Sequence, residues 1–157
     1  MCAVVSSLVA GCAGSEKGSE QASVALSSTP AAVRAAISKV VNAGKIEKIE
    51  KQTDCGRAVY EVDFEVGELE KSAKITEGGT VIEQETETDP AALPPAVLAG
   101  VITKYRAAKV YDVTKVKTLE GTTYKVSIEP AGGERELKPD ASGKILEDIA
   151  RALSDKR

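Results

Sequence analysis

The chain has 157 residues, 42% of them hydrophobic and 29% charged, and a formal net charge of −3. This composition is typical of one ordinary globular domain or two very small ones. The chain has 21 basic and 24 acidic residues, a balance that argues against a nucleic-acid partner. The chain has no histidine, so it lacks the commonest general base and a preferred zinc ligand. We therefore predict no catalytic residues, no metal site and no cofactor.

Residues 1–12 form a short apolar segment that ends in Val9-Ala10-Gly11-Cys12. The segment is too short to span a bilayer and fits the hydrophobic region of a secretion signal. Its last four residues resemble the lipobox of bacterial lipoprotein signal peptides. That resemblance implies lipidation of Cys12, a lipid anchor in the membrane and a location in the cell envelope, periplasm-facing or extracellular. An apolar N-terminus with an unrelated cysteine is the alternative.

One feature of a signal peptide is missing from this segment, because no lysine or arginine precedes Cys12. Either the natural start lies upstream or the signal is truncated. Residues 13–28 are rich in Ser, Gly, Glu and Ala and have no sustained apolar period, so we predict a flexible tether. Cleavage and lipidation leave Cys55 as the one remaining thiol, which excludes an intramolecular disulfide and fits an unpaired cysteine in a turn.

The first regular element predicted after the tether is an amphipathic helix. Thr29 is the expected N-cap, with Pro30 at the first helical position. Apolar residues then recur at three-to-four spacing, namely Val33, Ala36, Ile37, Val40 and Val41. This stripe predicts a helix that buries one face.

The period changes after Gly44, where strands are expected. Ile46 and Ile49 lie three residues apart, which in a strand requires a bulge or an irregular edge. Alternating apolar residues from Ala58 to Val66 predict a half-buried second strand. A third strand is predicted at about 69–76, and after a tight turn a fourth is expected at 80–85.

The same order of elements returns at an offset of 64 residues, which lays Lys45 over Lys109, Tyr60 over Tyr124 and Gly79 over Gly143. About a quarter of the positions between 30 and 83 are identical at this offset, so we interpret the pattern as a tandem duplication. The predicted fold is α+β, with two tandem repeats of a helix plus a four-stranded antiparallel sheet. The repeats are residues 29–85 and 94–157, and 86–93 form an acidic, proline-rich linker.

The second repeat carries the fuller set of motifs, with Lys109-Val110, Val113, Tyr124-Lys125-Val126 and Asp140 followed by Gly143-Lys144-Ile145-Leu146-Glu147. These motifs resemble the PepSY-like domains of exported bacterial proteins. The resemblance implies an architecture like that of the beta-lactamase inhibitory protein, in which a sheet forms the recognition surface. It also implies a non-enzymatic family, for which inhibition of peptidases or other regulation in the envelope has been proposed.

Candidate recognition residues follow from the strand phase. Tyr60 and Tyr124 are in phase with the buried sets of their strands, whereas Tyr111 is offset from the inward residues Val110 and Val113. A tyrosine at such a position is a typical hot-spot residue. The predicted partner-binding residues are Tyr111, Glu61, Asp63, Glu65 and Lys125. A solvated polar face is the simpler interpretation of the charged set.

The leading hypothesis is a non-catalytic module of the cell envelope that binds or inhibits a protein or peptide partner. The alternative is a structural or small-ligand-binding envelope lipoprotein. An enzyme that uses paired carboxylates is a third possibility, but the sequence contains no sign of such a pair. The turn at Asp140–Gly143 is expected to be a hairpin turn, because it lacks the alternating oxygen ligands of a calcium loop.

Overall fold

The computed structural model describes residues 22–54, 56–131 and 133–151, except for the side chain of Asp54. The described residues do not include the predicted signal segment 1–12 with Cys12, residues 13–21 of the predicted tether, or Cys55. Within the described part, nine antiparallel strands form one sheet in chain order, and two α-helices accompany it. The predicted α+β class is confirmed, with the sheet contributing most of the regular structure.

Each strand pairs with the next one along the chain. The strands are β1 (Ala22–Ser23), β2 (Lys45–Asp54), β3 (Arg57–Val66), β4 (Leu69–Thr76), β5 (Val81–Thr88), β6 (Lys109–Thr118), β7 (Thr122–Glu129), β8 (Arg135–Pro139) and β9 (Ile145–Ala150). The helices are α1 (Ala31–Val41) and α2 (Pro95–Lys104), each preceded by a 3-10 turn, at Leu26–Ser28 and Pro90–Ala92. After β1, the element order is therefore a helix and four strands, twice.

Both helices lie on the same side of the sheet. Directly opposite residues of an antiparallel pair share a face, so the face can be followed across the strands. It runs from Phe64 in the core under α1, through Lys71, Thr86 and Lys115, to Tyr124 in the core under α2. Neither helix of the described residues lies on the opposite face of the sheet.

Each helix covers its own apolar cluster. Under α1 the buried residues include Val33, Ile37, Val62 and Ile75, and under α2 they are Leu93, Val97, Val101, Val113, Tyr124, Val126, Ile128 and Leu137. Burying a side chain of this kind stabilises the fold by roughly 1.5–3 kcal/mol. These clusters fix which side of each strand faces inward.

Below, α1 with β2 to β5 is called the first segment, and α2 with β6 to β9 the second segment. A β-bulge interrupts β2 and β6, the strands that directly follow the two helices. The register between β2 and β3 shifts between Ile46 and Lys48, and that between β6 and β7 shifts between Val110 and Asp112. The bulge predicted from the spacing of Ile46 and Ile49 is thus confirmed. The extra residues are Glu47 and Tyr111, whose side chains are exposed.

The start of α1 corrects the predicted N-cap. The helix begins at Ala31, and Pro30 occupies the cap position without a side-chain cap bond. Thr29 is buried, and its hydroxyl donates a hydrogen bond of 2.8 Å to the carbonyl of Leu26 in the preceding 3-10 turn. Because this turn already uses the hydroxyl of Thr29, the side chain does not cap the helix.

Two segments predicted to lack regular structure contain strand residues. β5 extends to Thr88, and its residues Thr86 to Thr88 pair with Lys115 to Val113 of β6. Strand β1 lies within the predicted tether 13–28 and pairs with Lys51 and Glu50. In both places the hydrogen bonds of a neighbouring long strand outweigh the polar local sequence.

A glycine in each segment lets a hairpin turn approach its helix closely. Gly143, in the turn between β8 and β9, has φ +89°, and a Cβ there would clash with the carbonyl oxygen of Ala96 in α2. Gly79, in the turn between β4 and β5, has φ +83° and lies against Ala32 of α1 in the same way. These contacts set how closely the helices pack on the sheet.

Gly143→Ala is expected to lower the free energy of unfolding by about 3 kcal/mol, because it combines a left-handed backbone with a clash against α2. Gly67→Ala is the matched control, since Gly67 has φ +67° but nothing within 4 Å of an added Cβ. Its loss should be about 1 kcal/mol. Urea unfolding of both variants measures the difference, and equal losses would contradict the close contact with α2.

Candidate functional site

The helix-free face of the sheet, called the open face below, carries the predicted acidic residues. Val62 and Phe64 of β3 point into the core, so Glu61, Asp63 and Glu65 alternate onto the open face, where each is half-buried. The structure thus brings these three predicted residues together on one strand.

Neighbouring strands add more carboxylates to this face. The pairing places Glu50 beside Glu61, Glu70 beside Glu65, and Ser72 between Asp63 and Glu85. By the same alternation the carboxylates of the open face on β2 to β6 are Glu50, Glu61, Asp63, Glu65, Glu70, Glu83, Glu85, Glu87 and Asp112. The basic residues of this face on β2 to β7 are Lys48, Lys74 and Lys125 within the strands, and Lys45, Arg57 and Lys109 at strand ends. The centre of the open face is therefore strongly negative.

A cleft of about 550 Å³ lies on this acidic region and spans strands β2 to β6. Its lining includes Glu47 and Asp63 from the first segment and Asp112 and Thr114 from the second. The cleft therefore exists only because the two segments share one continuous sheet.

The lysines of the open face neutralise particular carboxylates. Lys74 contacts Glu83 at 2.7 Å, and Lys48 contacts Glu50 at 2.7 Å. The predicted binding residue Lys125 does not contact the acidic residues of β3. Its Nζ lies 2.6 Å from Oε1 of Glu85, which links β7 to β5 across β6.

Asp63 lies where the negative charge is most concentrated. Burial raises the pKa of its carboxyl, and the negative charge of Glu50 raises that pKa further. Lys48 opposes the shift, while Glu85 and Glu70 add to it. Keeping Asp63 ionised at neutral pH therefore costs folding free energy, as expected of a surface not optimised for stability alone.

Tyr111 borders the cleft at the bulge of β6. Its side chain is 39% exposed and lines a smaller depression together with Glu68, Leu69 and Asp89. That depression shares Glu87 and Asp112 with the acidic cleft. The bulge turns this tyrosine out of the strand's alternation and presents an aromatic ring beside the negative surface.

A second charged cluster, which the sequence did not reveal, lies on the helix-covered side. Asp148 of β9 accepts hydrogen bonds from the hydroxyl of Tyr105 at 2.7 Å and from Nε of Arg135 at 2.7 Å, and Nζ of Lys104 lies 2.6 Å away. Partial burial opposes ionisation, but these partners lower the pKa of Asp148 to about 2. Every member of the cluster has a partner, so we assign it the structural role of fastening the end of α2 to the sheet edge.

The carboxylate of Asp140 organises the turn between β8 and β9. Oδ1 of Asp140 accepts hydrogen bonds from the backbone amides of Ser142 and Lys144 and from the hydroxyl of Ser142. In the first segment Thr76 has an equivalent role, since its hydroxyl accepts from the amide of Thr80. Across the described residues, His, Cys, Asp and Glu form no group of three or more suited to a metal ion.

None of the helices in the described part of the chain is long and apolar enough to cross a membrane.

A family model described as "Putative beta-lactamase-inhibitor-like, PepSY-like" matches residues 16–83 and 59–147, which together cover most of the chain. The protein belongs to the PepSY-like family. No curated protein matches the sequence of this PepSY-like protein.

Solved structures share the fold of the PepSY-like protein at low identity. A BLIP-like protein from Bacteroides fragilis has 22% identity and a TM-score of 0.62, over 82% of this chain and 91% of that one. A structure from Bacteroides eggerthii described as "putative periplasmic proteins" has 17% identity and a TM-score of 0.64, over 78% and 88%. A DUF2874 family protein from Bacteroides uniformis has 20% identity and a TM-score of 0.64, over 78% and 89%.

Replacing either of two aspartates of the PepSY-like protein by asparagine should change stability in opposite directions. Asp148→Asn should lower the free energy of unfolding at pH 7 by about 1 kcal/mol, the value being limited by solvent screening. This loss should shrink as the pH falls from the ordinary 3.8 to about 2, where the wild-type carboxylate is half protonated in the folded state. Asp63→Asn should raise stability at pH 7, because the raised pKa means that the ionised form is disfavoured in the folded state.

Urea unfolding of the two variants at pH 7 and at about pH 2 measures both effects. Each variant controls for the other, since the change of side chain is the same. A loss of stability for Asp63→Asn at pH 7 would contradict the repulsion on the open face.

Proposed function

We propose that the PepSY-like protein is a non-catalytic binding or inhibitory module of the cell envelope, which engages a protein or peptide partner through the open face. The observation that carries this proposal is the acidic cleft on a sheet face that no helix covers. Tyr111 supplies an exposed aromatic anchor at its border. The similarity to a BLIP-like structure and the description of the family support an inhibitor-like role over an enzymatic one.

The charge of the open face favours a partner segment rich in lysine or arginine. Glu61, Asp63 and Glu70 are not joined to any lysine or arginine by an ion pair within the described part of the chain. Complementary charge accelerates encounter and selects against acidic competitors. The same partner would relieve the repulsion around Asp63, so binding and stability are linked.

The two segments are proposed to be tandem copies of one unit. Their pairing registers support this, since Lys45↔Glu65 and Ile46↔Phe64 in the first correspond to Lys109↔Glu129 and Val110↔Ile128 in the second at the offset of 64 residues. The bulges and the glycine turns recur at the same offset. On this proposal Glu47 and Tyr111 are the same position in two copies that have diverged.

Binding of a small ligand is the second candidate function, and the size of the cleft favours it. Its volume of about 550 Å³ falls within the range of small-molecule sites, roughly 300–1,000 Å³. Such sites are mostly apolar, however, whereas this one is lined by carboxylates. A rise in melting temperature with a small molecule, together with no captured protein, would favour this candidate over the first.

Reversing the charge of the open face is expected to abolish partner binding. Proteins are captured from an envelope extract with the wild type and with an open-face triple variant, Glu61→Lys, Asp63→Lys, Glu65→Lys. The control triple Glu77→Lys, Glu120→Lys, Glu147→Lys makes the same change of net charge at exposed residues that line neither the cleft nor the depression beside Tyr111. Partners should be retained by the control and lost by the open-face triple.

For a partner captured this way, Tyr111→Ala should weaken the affinity by about tenfold or more, the loss typical of an interfacial hot spot. Isothermal titration with the purified partner measures this loss. Identical partner sets for wild type and the open-face triple would contradict the proposed surface.

The proposed location in the envelope includes a lipid anchor at Cys12. Its support is the lipobox-like sequence Val9 to Cys12 and the periplasmic description of a structural relative. Intact-mass analysis of the membrane fraction should give a mature chain that begins at Cys12 and carries added acyl mass. A chain beginning at Cys12 without that mass would contradict the anchor.

A further inference from the structure

The side of the molecule opposite the open face is positively charged. We call it the helix side; it comprises α1, α2 and the strand residues that share their face. Lys51 lies opposite the core residue Tyr60, Lys71 opposite Phe64, and Lys115 opposite Tyr124. Lys117 follows two residues after Lys115 and shares its face. Lys51, Lys115 and Lys117 are exposed, and Lys71 is half-buried.

Acidic residues are nearly missing from the helix side. α1 contains Arg34 and Lys39, α2 contains Lys104, and neither helix contains Asp or Glu. Among the described strand residues of this face, Asp148 is the carboxylate, and Lys104 and Arg135 already neutralise it. Because strand residues alternate between faces, nearly all described strand carboxylates lie on the open face, which gives the molecule a charge asymmetry across its thickness.

The outer surface of α2 also presents two large apolar side chains. Leu98 and Ile102 lie one helical turn apart and are 37% and 47% exposed. At the offset of 64 residues, the corresponding positions of α1 are Arg34 and Ser38. Leu98 and Ile102 are thus an exposed apolar pair on the positive side of the molecule.

We infer that the helix side is a docking surface for an anionic phospholipid bilayer, which orients the open face away from the membrane. Lysines near a negatively charged bilayer are attracted to its surface, and exposed leucine and isoleucine side chains insert into the interface. The same bilayer repels the carboxylates of the open face. Attraction of the helix side and repulsion of the open face therefore favour the same orientation of the molecule. Since this attraction is electrostatic, it weakens with salt.

Vesicle co-sedimentation tests this surface with the full chain carrying Cys12→Ser, so that no lipid anchor contributes. The vesicles are phosphatidylcholine alone or an equimolar mixture with phosphatidylglycerol. Binding is expected to the mixed vesicles at low salt and to disappear in about 0.5 M salt. Lys51→Gln, Lys115→Gln, Lys117→Gln should reduce the partition coefficient by at least about tenfold.

The matched control is Lys45→Gln, Lys48→Gln, Lys138→Gln, which removes the same charge from lysines that pair with carboxylates of the open face. It should leave binding within about twofold of wild type, and thermal unfolding verifies that both triples are folded. Equal losses for the two triples would overturn the inference, because binding would then follow net charge alone.

A tryptophan reporter tests the orientation, since the natural chain contains no tryptophan. With mixed vesicles, the emission of Ile102→Trp should shift to shorter wavelength, whereas that of Tyr111→Trp on the opposite side should not. A shift at Tyr111→Trp alone, or at neither position, would overturn the inference. Salt-sensitive self-association without vesicles would also overturn it, because the helix side would then be occupied by the acidic face of a second copy.

Discussion

The alternation of side chains across one unbroken antiparallel sheet is the constraint on which the rest of the structure depends. A shift of one residue in any strand pair would exchange its inward and outward side chains. The register through β5 and β6 keeps Phe64 and Tyr124 on the same side, so both helices cover one face. The acidic cleft, the uncovered sheet face and the lysines among the helices all follow from that single register.

Much of this alternation could be predicted from the sequence, because it is local. Tyr60 and Tyr124 were expected inside and are buried, and the bulge in β2 follows from the spacing of Ile46 and Ile49. The predictions failed where a contact from outside the segment decides. The hydroxyl of Thr29 is taken by Leu26, and β5 continues to Thr88 because β6 supplies hydrogen bonds.

The candidate site shows the same division between local and distant information. Strand phase predicted that Glu61, Asp63 and Glu65 would share a face, and the structure places them so. Strand phase could not predict that Lys125 pairs with Glu85, 40 residues away. Nor could it predict that Asp148 accepts a hydrogen bond from Tyr105, 43 residues away. Nor does the net charge of −3 reveal that nearly all described strand carboxylates lie on one face of the sheet. Such contacts depend on which strands become neighbours, and local sequence patterns do not reveal that pairing.

The sheet is not interrupted where the first segment meets the second. β5 pairs with β4 along one edge and with β6 along the other, and both pairings use residues Glu83 to Thr86. The junction is therefore as stiff as the interior of either segment and cannot act as a hinge. A partner in the cleft accordingly meets a rigid template, whose curvature is set by the twist of five consecutive strands rather than by the angle between two movable domains.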